Sequence, residues 1–129
     1  MSRNCLLALI PAFGLSGLAQ AEDISTHVLN ISTGTGGAGI PVTLEMKEGD
    51  TWTEIGTSTT GENGRVEGFD IETEVATYRL AFDLSNYADL GQTPFFPEID
   101  VIFQVQDADR EHHVPVLVSP FGYSTYLGN

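Results

Sequence analysis

Between residues 99 and 105 the chain reads Ile-Asp-Val-Ile-Phe-Gln-Val, so Ile99, Val101, Phe103 and Val105 fall on one side of an extended backbone. That period of two, where a helix would need 3.6, recurs along most of the chain and constrains it to sheet. Ile24–Asn30 alternates in the same way. Pro41–Met46, Thr51–Thr57, Thr73–Phe82, His113–Val118 and Tyr123–Tyr126 are further short runs rich in strand-forming residues. Pro41 stands at a strand entry, where a missing N–H is tolerated. Turn residues separate the runs. Ser32–Gly39 reads as a flexible connection, Lys47–Asp50 and Asp107–Glu111 as turns, and Gly61–Gly64 as a tight turn, because Asn63-Gly64 readily supplies positive φ. One stretch departs from the pattern. Asp83–Leu90 is expected to be a short helix, capped by Asp83 or Ser85 and stopped by Gly91. The reading is an all-β, two-sheet sandwich of about eight strands with one short helix, in a single domain over residues 22–129.

The first 21 residues are set apart from that fold. Arg3 precedes an apolar stretch, Leu6–Leu18, and Ala19-Gln20-Ala21 follows as a small-x-small cleavage site. This is the pattern of a secretory signal peptide over residues 1–21, and it makes the expected location periplasmic or secreted. The stretch is too short and too broken by Gly and Pro for a comfortable membrane span, so no membrane association is expected. Cys5 is the only cysteine of the 129 residues and would leave with the leader. The remaining domain would then have neither disulfide nor thiol chemistry, and must rely on its core or on self-association.

Charge narrows the partners. The chain carries 18 acidic against five basic residues, for a net charge of −13. A nucleic-acid partner rewards basic surface and is therefore excluded. Arg3 lies in the leader, so only Lys47, Arg65, Arg79 and Arg110 would oppose the acids in the domain, which makes the place of each informative.

Four blocks, in order, resemble the transthyretin-like family. They are Thr26-His-Val-Leu-Asn30 followed by Gly39–Leu44; Trp52–Ile55 followed by Glu62-Asn-Gly-Arg65; Phe95–Ile99 with Phe103; and the closing run His113–Tyr126. The resemblance implies a prealbumin-like sandwich, assembled as a homotetramer (a dimer of dimers) around a central channel. It also implies the activity of the family's enzymes, which hydrolyse 5-hydroxyisourate, a planar, purine-derived small molecule. The alternative within the family is a non-enzymatic carrier of a small ligand.

Hydrolysis of a cyclic amide needs a base for water, a donor for developing negative charge and a pocket that limits solvent. The resemblance assigns His27, Arg65 and His113 as catalytic, and His27, Arg65 and Tyr126 as substrate-binding. Imidazole suits the first task because it titrates near neutrality, and a guanidinium can hold two adjacent acceptors. Position alone would make His27 a surface strand residue and Arg65 a turn residue paired with Glu62 or Glu67. His112 and His113 are adjacent, so a strand points them to opposite faces; His113 matches the family histidine, and His112 reads as structural or exposed. The three histidines do not have the spacing of a zinc site, so neither metal nor cofactor is expected. Family enzymes finish Tyr-Arg-Gly-Ser, whereas this chain finishes Tyr126-Leu-Gly-Asn129.

Overall fold

The computed structural model describes residues 24–129. The expected leader lies outside the described residues. Nine strands form two sheets: β1 Ile24–Asn30, β2 Thr35–Gly36, β3 Pro41–Glu48, β4 Thr51–Thr59, β5 Arg65–Val66, β6 Ala76–Asp83, β7 Glu98–Val105, β8 His112–Ser119 and β9 Gly122–Thr125. One sheet runs β4-β3-β6-β7, wholly antiparallel. The other runs β2-β1-β8-β9, with β5 sharing the outer edge of β1.

The period of two explains the layering. Ile24, Thr26, Val28 and Asn30 of β1 are buried, while Ser25, His27 and Leu29 alternate with them on the outer face. Leu44 of β3, Tyr78, Leu80 and Phe82 of β6, Ile99, Val101 and Val105 of β7, and Val114, Val116 and Val118 of β8 fill the space between the sheets. Tyr78 keeps its hydroxyl satisfied at the core margin: it accepts from Glu74 N at 2.8 Å and donates to Glu74 O at 3.2 Å. On the outer face of the same sheet, Arg79 Nε donates to Glu45 Oε1 at 2.6 Å and its guanidinium lies 4.4 Å from the Trp52 ring centre, which accounts for one of the few cations outside the cleft described below.

The helix expected over residues 83–90 does not form. Asp83 Oδ1 accepts from the Ser85 amide and hydroxyl, but only two separate turns follow, Tyr87 N to Leu84 O and Gly91 N to Ala88 O. A tertiary contact takes the place of helical bonding. The buried side chain of Asn30 donates to Tyr87 Oη and to Asp89 O, both at 2.9 Å, so the segment is pinned by side chains across the core edge. Leu84, Tyr87 and Leu90, three apart, are the residues it buries.

Two strands were not anticipated. β2 and β5 are two residues each and occupy the two ends of one edge of β1, β2 within the segment that reads as a flexible connection and β5 directly after the Gly61–Gly64 turn. Between them the ladder continues through Val28, whose amide donates to Gly64 O and whose carbonyl accepts from Gly37 N, both at 2.8 Å.

Candidate active site

β1 holds the site together because it is paired on both edges. On one side it runs parallel to β8, with Ser25 opposite His113 and His27 opposite Pro115. On the other side β5 places Arg65 directly opposite His27. Alternation puts Ser25, His27, His113 and Pro115 on the same outer face. The C-terminal tail then folds back over that face. Gly128 N donates to His113 O at 2.7 Å, and Thr125 Oγ1 donates to Pro115 O at 2.8 Å.

The result is a cleft of about 450 Å³, whose lining includes Ser25, His27, Arg65, His113, Tyr126 and Asn129. All four residues selected from the sequence therefore meet in one place. His112 takes the opposite orientation, as parity requires: it is 94% buried by its 6% exposure, and its Nδ1 has no hydrogen-bond partner among the described residues. No group of three or more potential ligands suited to a metal occurs among the described residues.

Both histidines have an identifiable anchor. His27 Nε2 lies 3.0 Å from Asn63 O; a carbonyl oxygen only accepts, so Nε2 carries the proton and donates. Asn63 also braces its own turn, its Oδ1 accepting from Arg65 N at 3.0 Å. Ser25 Oγ lies 2.8 Å from His113 Nδ1. Gly128 is the residue that lets the tail approach: a Cβ there would sit 2.8 Å from His113 Cδ2. Arg65 forms no ion pair with Glu62 or Glu67, and its guanidinium stays exposed. Tyr126 is also largely exposed and borders two cavities, this one and a second lined in part by Val101, Phe103, His112 and Leu127. Leu127 thus faces away from the cleft, whereas Asn129 faces into it.

The electrostatics favour a neutral His113. Burial pushes its pKa below the ordinary value, and the positive charges of Arg65 and His27 push the same way, while Glu67 acts against them. A depressed histidine is neutral over a wider range toward acid, so its lone pair remains available below the pH at which a free imidazole would lose it. The same sign holds for folding. The unfolded chain binds the proton more tightly, so protonation of His113 disfavours the fold as pH drops below the free-imidazole value, and that loss is complete below the folded pKa.

Sequence reasoning missed Ser25 in the lining of this cleft and the Asn63 carbonyl that holds His27. Ser25 was legible in principle, two residues before His27 on an alternating strand. The Asn63 carbonyl was not, since it depends on how the turn docks.

A two-sheet sandwich whose β1 is flanked by β8 and β5, with two imidazoles, a guanidinium and a phenol on its outer face, defines a transthyretin-like β-sandwich protein. The profile of the HIUase/Transthyretin family matches residues 24–128, and the chain belongs to that family. Among its relatives, a probable 5-hydroxyisourate hydrolase of Caenorhabditis elegans is 38% identical over 82% of this chain and 81% of its own length. A 5-hydroxyisourate hydrolase of Salmonella typhi is 34% identical over 98% and 95% respectively. Among solved structures, 5-hydroxyisourate hydrolase of Klebsiella pneumoniae superposes with a TM-score of 0.71 at 30% identity, covering 82% of this chain and 98% of that one. Sea bream transthyretin in complex with thyroxine superposes at 0.75 with 27% identity, covering 81% and 93%.

Proposed function

We propose that this protein hydrolyses 5-hydroxyisourate to 2-oxo-4-hydroxy-4-carboxy-5-ureidoimidazoline, a step of urate degradation. The observation that carries the reading is the convergence of His27, Arg65, His113 and Tyr126 on one cleft. One imidazole takes a proton from water as the water oxygen bonds to the ring carbonyl carbon. The Arg65 guanidinium meets the negative charge that develops on the carbonyl oxygen. The C–N bond then breaks, its electron pair stays on nitrogen, and the imidazolium returns the proton to that nitrogen. Tyr126 and His27 hold the ring by hydrogen bonds. The chemistry requires no metal and no cofactor.

Substrate made in place from urate by urate oxidase loses its ultraviolet absorbance as it is hydrolysed. Micromolar protein should speed that decay well above the uncatalysed rate. An unchanged decay would instead support the second reading, a carrier of a small ligand. The charged and hydrogen-bonding lining of the cleft argues against the carrier, since apolar walls dominate most small-ligand sites.

Assembly as a dimer of dimers is part of the proposal. The cleft is open on the outer face of its sheet, and both β7 and β9 are unpaired edges. Phe95, Phe121 and Tyr123 are exposed near them. Light scattering should return four times the chain mass. Export to the periplasm or the exterior is supported by the leader-like segment 1–21.

Two further results are expected. First, the acidic limb of the kcat/KM profile should lie below the ordinary imidazole value of about 6.5. Because Glu67 raises the pKa of His113, Glu67→Gln should move that limb to still lower pH; a shift to higher pH would show that another group sets it. Second, the tail substitutions should separate. Asn129→Ser, inside the cleft, should change kcat/KM several-fold, by roughly the 1 kcal/mol of one hydrogen bond. Leu127→Arg, facing the other cavity, should leave it nearly unchanged. Steady-state kinetics on both variants decides.

A further inference from the structure

We propose that Ser25 is a positioning residue that holds the His113 imidazole with its Nδ1 protonated, and so makes His113, through Nε2, the base that activates water. This deepens the hydrolase reading and rests on it.

Three observations converge. Ser25 Oγ lies 2.8 Å from His113 Nδ1, across the β1–β8 pair that sets the two residues side by side. The opposite side of the ring is closed by the tail, where Gly128 packs so tightly against Cδ2 that a methyl group would overlap it. The imidazole is therefore held from both sides, and Nε2 is left without a protein partner among the described residues. His27 differs at this point, because its Nε2 is committed as a donor to the Asn63 carbonyl. Of the two imidazoles, only His113 has a free Nε2 in the cleft.

The chemistry of a hydroxyl fits this task. Neutral His113 acting as base at Nε2 must carry its proton on Nδ1, which then donates to Ser25 Oγ. When Nε2 takes the proton from water, Nδ1–H keeps the same bond. One hydrogen bond thus serves both protonation states, and the ring need not move during turnover. An aspartate there would hold the ring equally well but would stabilise the imidazolium and raise its pKa. The groups facing His113 pull in both directions: the Arg65 guanidinium and a protonated His27 lower its pKa and Glu67 raises it, while Glu111, Tyr126 and Asn129 complete the rim. A neutral hydroxyl leaves His113 with the depressed pKa that this balance and its burial produce.

The test combines kinetics with nitrogen-15 NMR of the ring. In the unmodified protein, neutral His113 should be mainly the Nδ1–H tautomer. Ser25→Ala should shift it toward Nε2–H and lower kcat about 10-fold, with KM changed less than about 2-fold; a loss of that size is within the range of a single orienting hydrogen bond. Ser25→Thr should restore both the tautomer and most of the rate. Ser25→Asp should move the acidic limb of the rate profile upward by about one pH unit, in the 1–3 unit range for an opposite charge in contact. A role limited to strand packing would move neither the tautomer nor the limb. An Nε2–H tautomer in the unmodified protein, or Ser25→Ala with full kcat, overturns the proposal. The hydrolase reading is judged separately by whether the unmodified protein has activity; the tautomer measurement needs no substrate.

Discussion

Arg65→Ala is expected to lower kcat/KM by 10²–10³, the cost of removing a donor aimed at developing charge, about 3–4 kcal/mol of transition-state stabilisation. The structure separates this loss from any loss of stability. The Arg65 side chain is exposed and in no ion pair among the described residues, and the contacts that hold β5 in place use its backbone: Arg65 N donates to Asn63 Oδ1, and Gly61 N donates to Arg65 O. Alanine keeps those bonds, so thermal unfolding should shift by no more than the half kcal/mol typical of a surface change. Arg65→Lys restores charge without the planar fork and should recover part of the activity, leaving a deficit of about 10-fold or more. Near-normal kcat/KM in the alanine variant would remove Arg65 from the chemistry and with it the main reason for reading the cleft as hydrolytic. The same variant has a second effect with its own sign. Arg65 helps to depress the pKa of His113, so any residual activity should show an acidic limb displaced to higher pH.

The strands that carry their own alternating pattern were legible before the fold was seen. Ile24–Asn30 occupies the span read from the sequence, and the long run ending at Val105 buries Ile99, Val101 and Val105 on the expected face, with Phe103 packed partly against them. Parity also sorted the adjacent histidines, sending His112 inward and His113 to the cleft. What could not be read was structure made by one segment for another. Arg65–Val66 is a strand only because the preceding turn docks on β1, and the Asp83–Leu90 segment is not a helix because Asn30, more than fifty residues earlier, supplies side-chain bonds to Tyr87 and Asp89. Local propensity is a weak prior against such contacts. The site residues were legible mainly through their family resemblance. Their convergence needed the pairing of β1 with both β5 and β8, a relation between positions 27, 65 and 113 that no local pattern carries.

Gly64→Ala should be among the most damaging small substitutions in the described residues, and a second glycine shows why. Gly64 and Gly34 both have φ in the left-handed region, +82° and +75°. Forcing an L side chain into that region costs about 1–2 kcal/mol at either position. Their surroundings differ. A Cβ at Gly34 meets nothing within 4 Å, whereas one at Gly64 would overlap the Val28 carbonyl oxygen and stand 2.8 Å from Gly37 N. Those are backbone atoms of the ladder along β1, and they have no rotamer through which to move away. The alanine at 64 can be accommodated only by lifting the turn off β1, which gives up the Val28 N–Gly64 O bond and moves Asn63 and Arg65 together. A total loss of about 3–5 kcal/mol is expected for Gly64→Ala, as strain and lost backbone bonding combine, against about 1–2 kcal/mol for Gly34→Ala. For a domain of this size that separates their melting temperatures by roughly 10 °C. Activity should follow the turn: under conditions where both variants remain folded, Gly34→Ala should keep full kcat/KM, while Gly64→Ala loses the Asn63 carbonyl from His27 and the guanidinium from the cleft. Equal melting temperatures for the two would mean that positive φ alone accounts for Gly64, and that the approach of the turn to β1 is looser than the one that places Arg65 opposite His27.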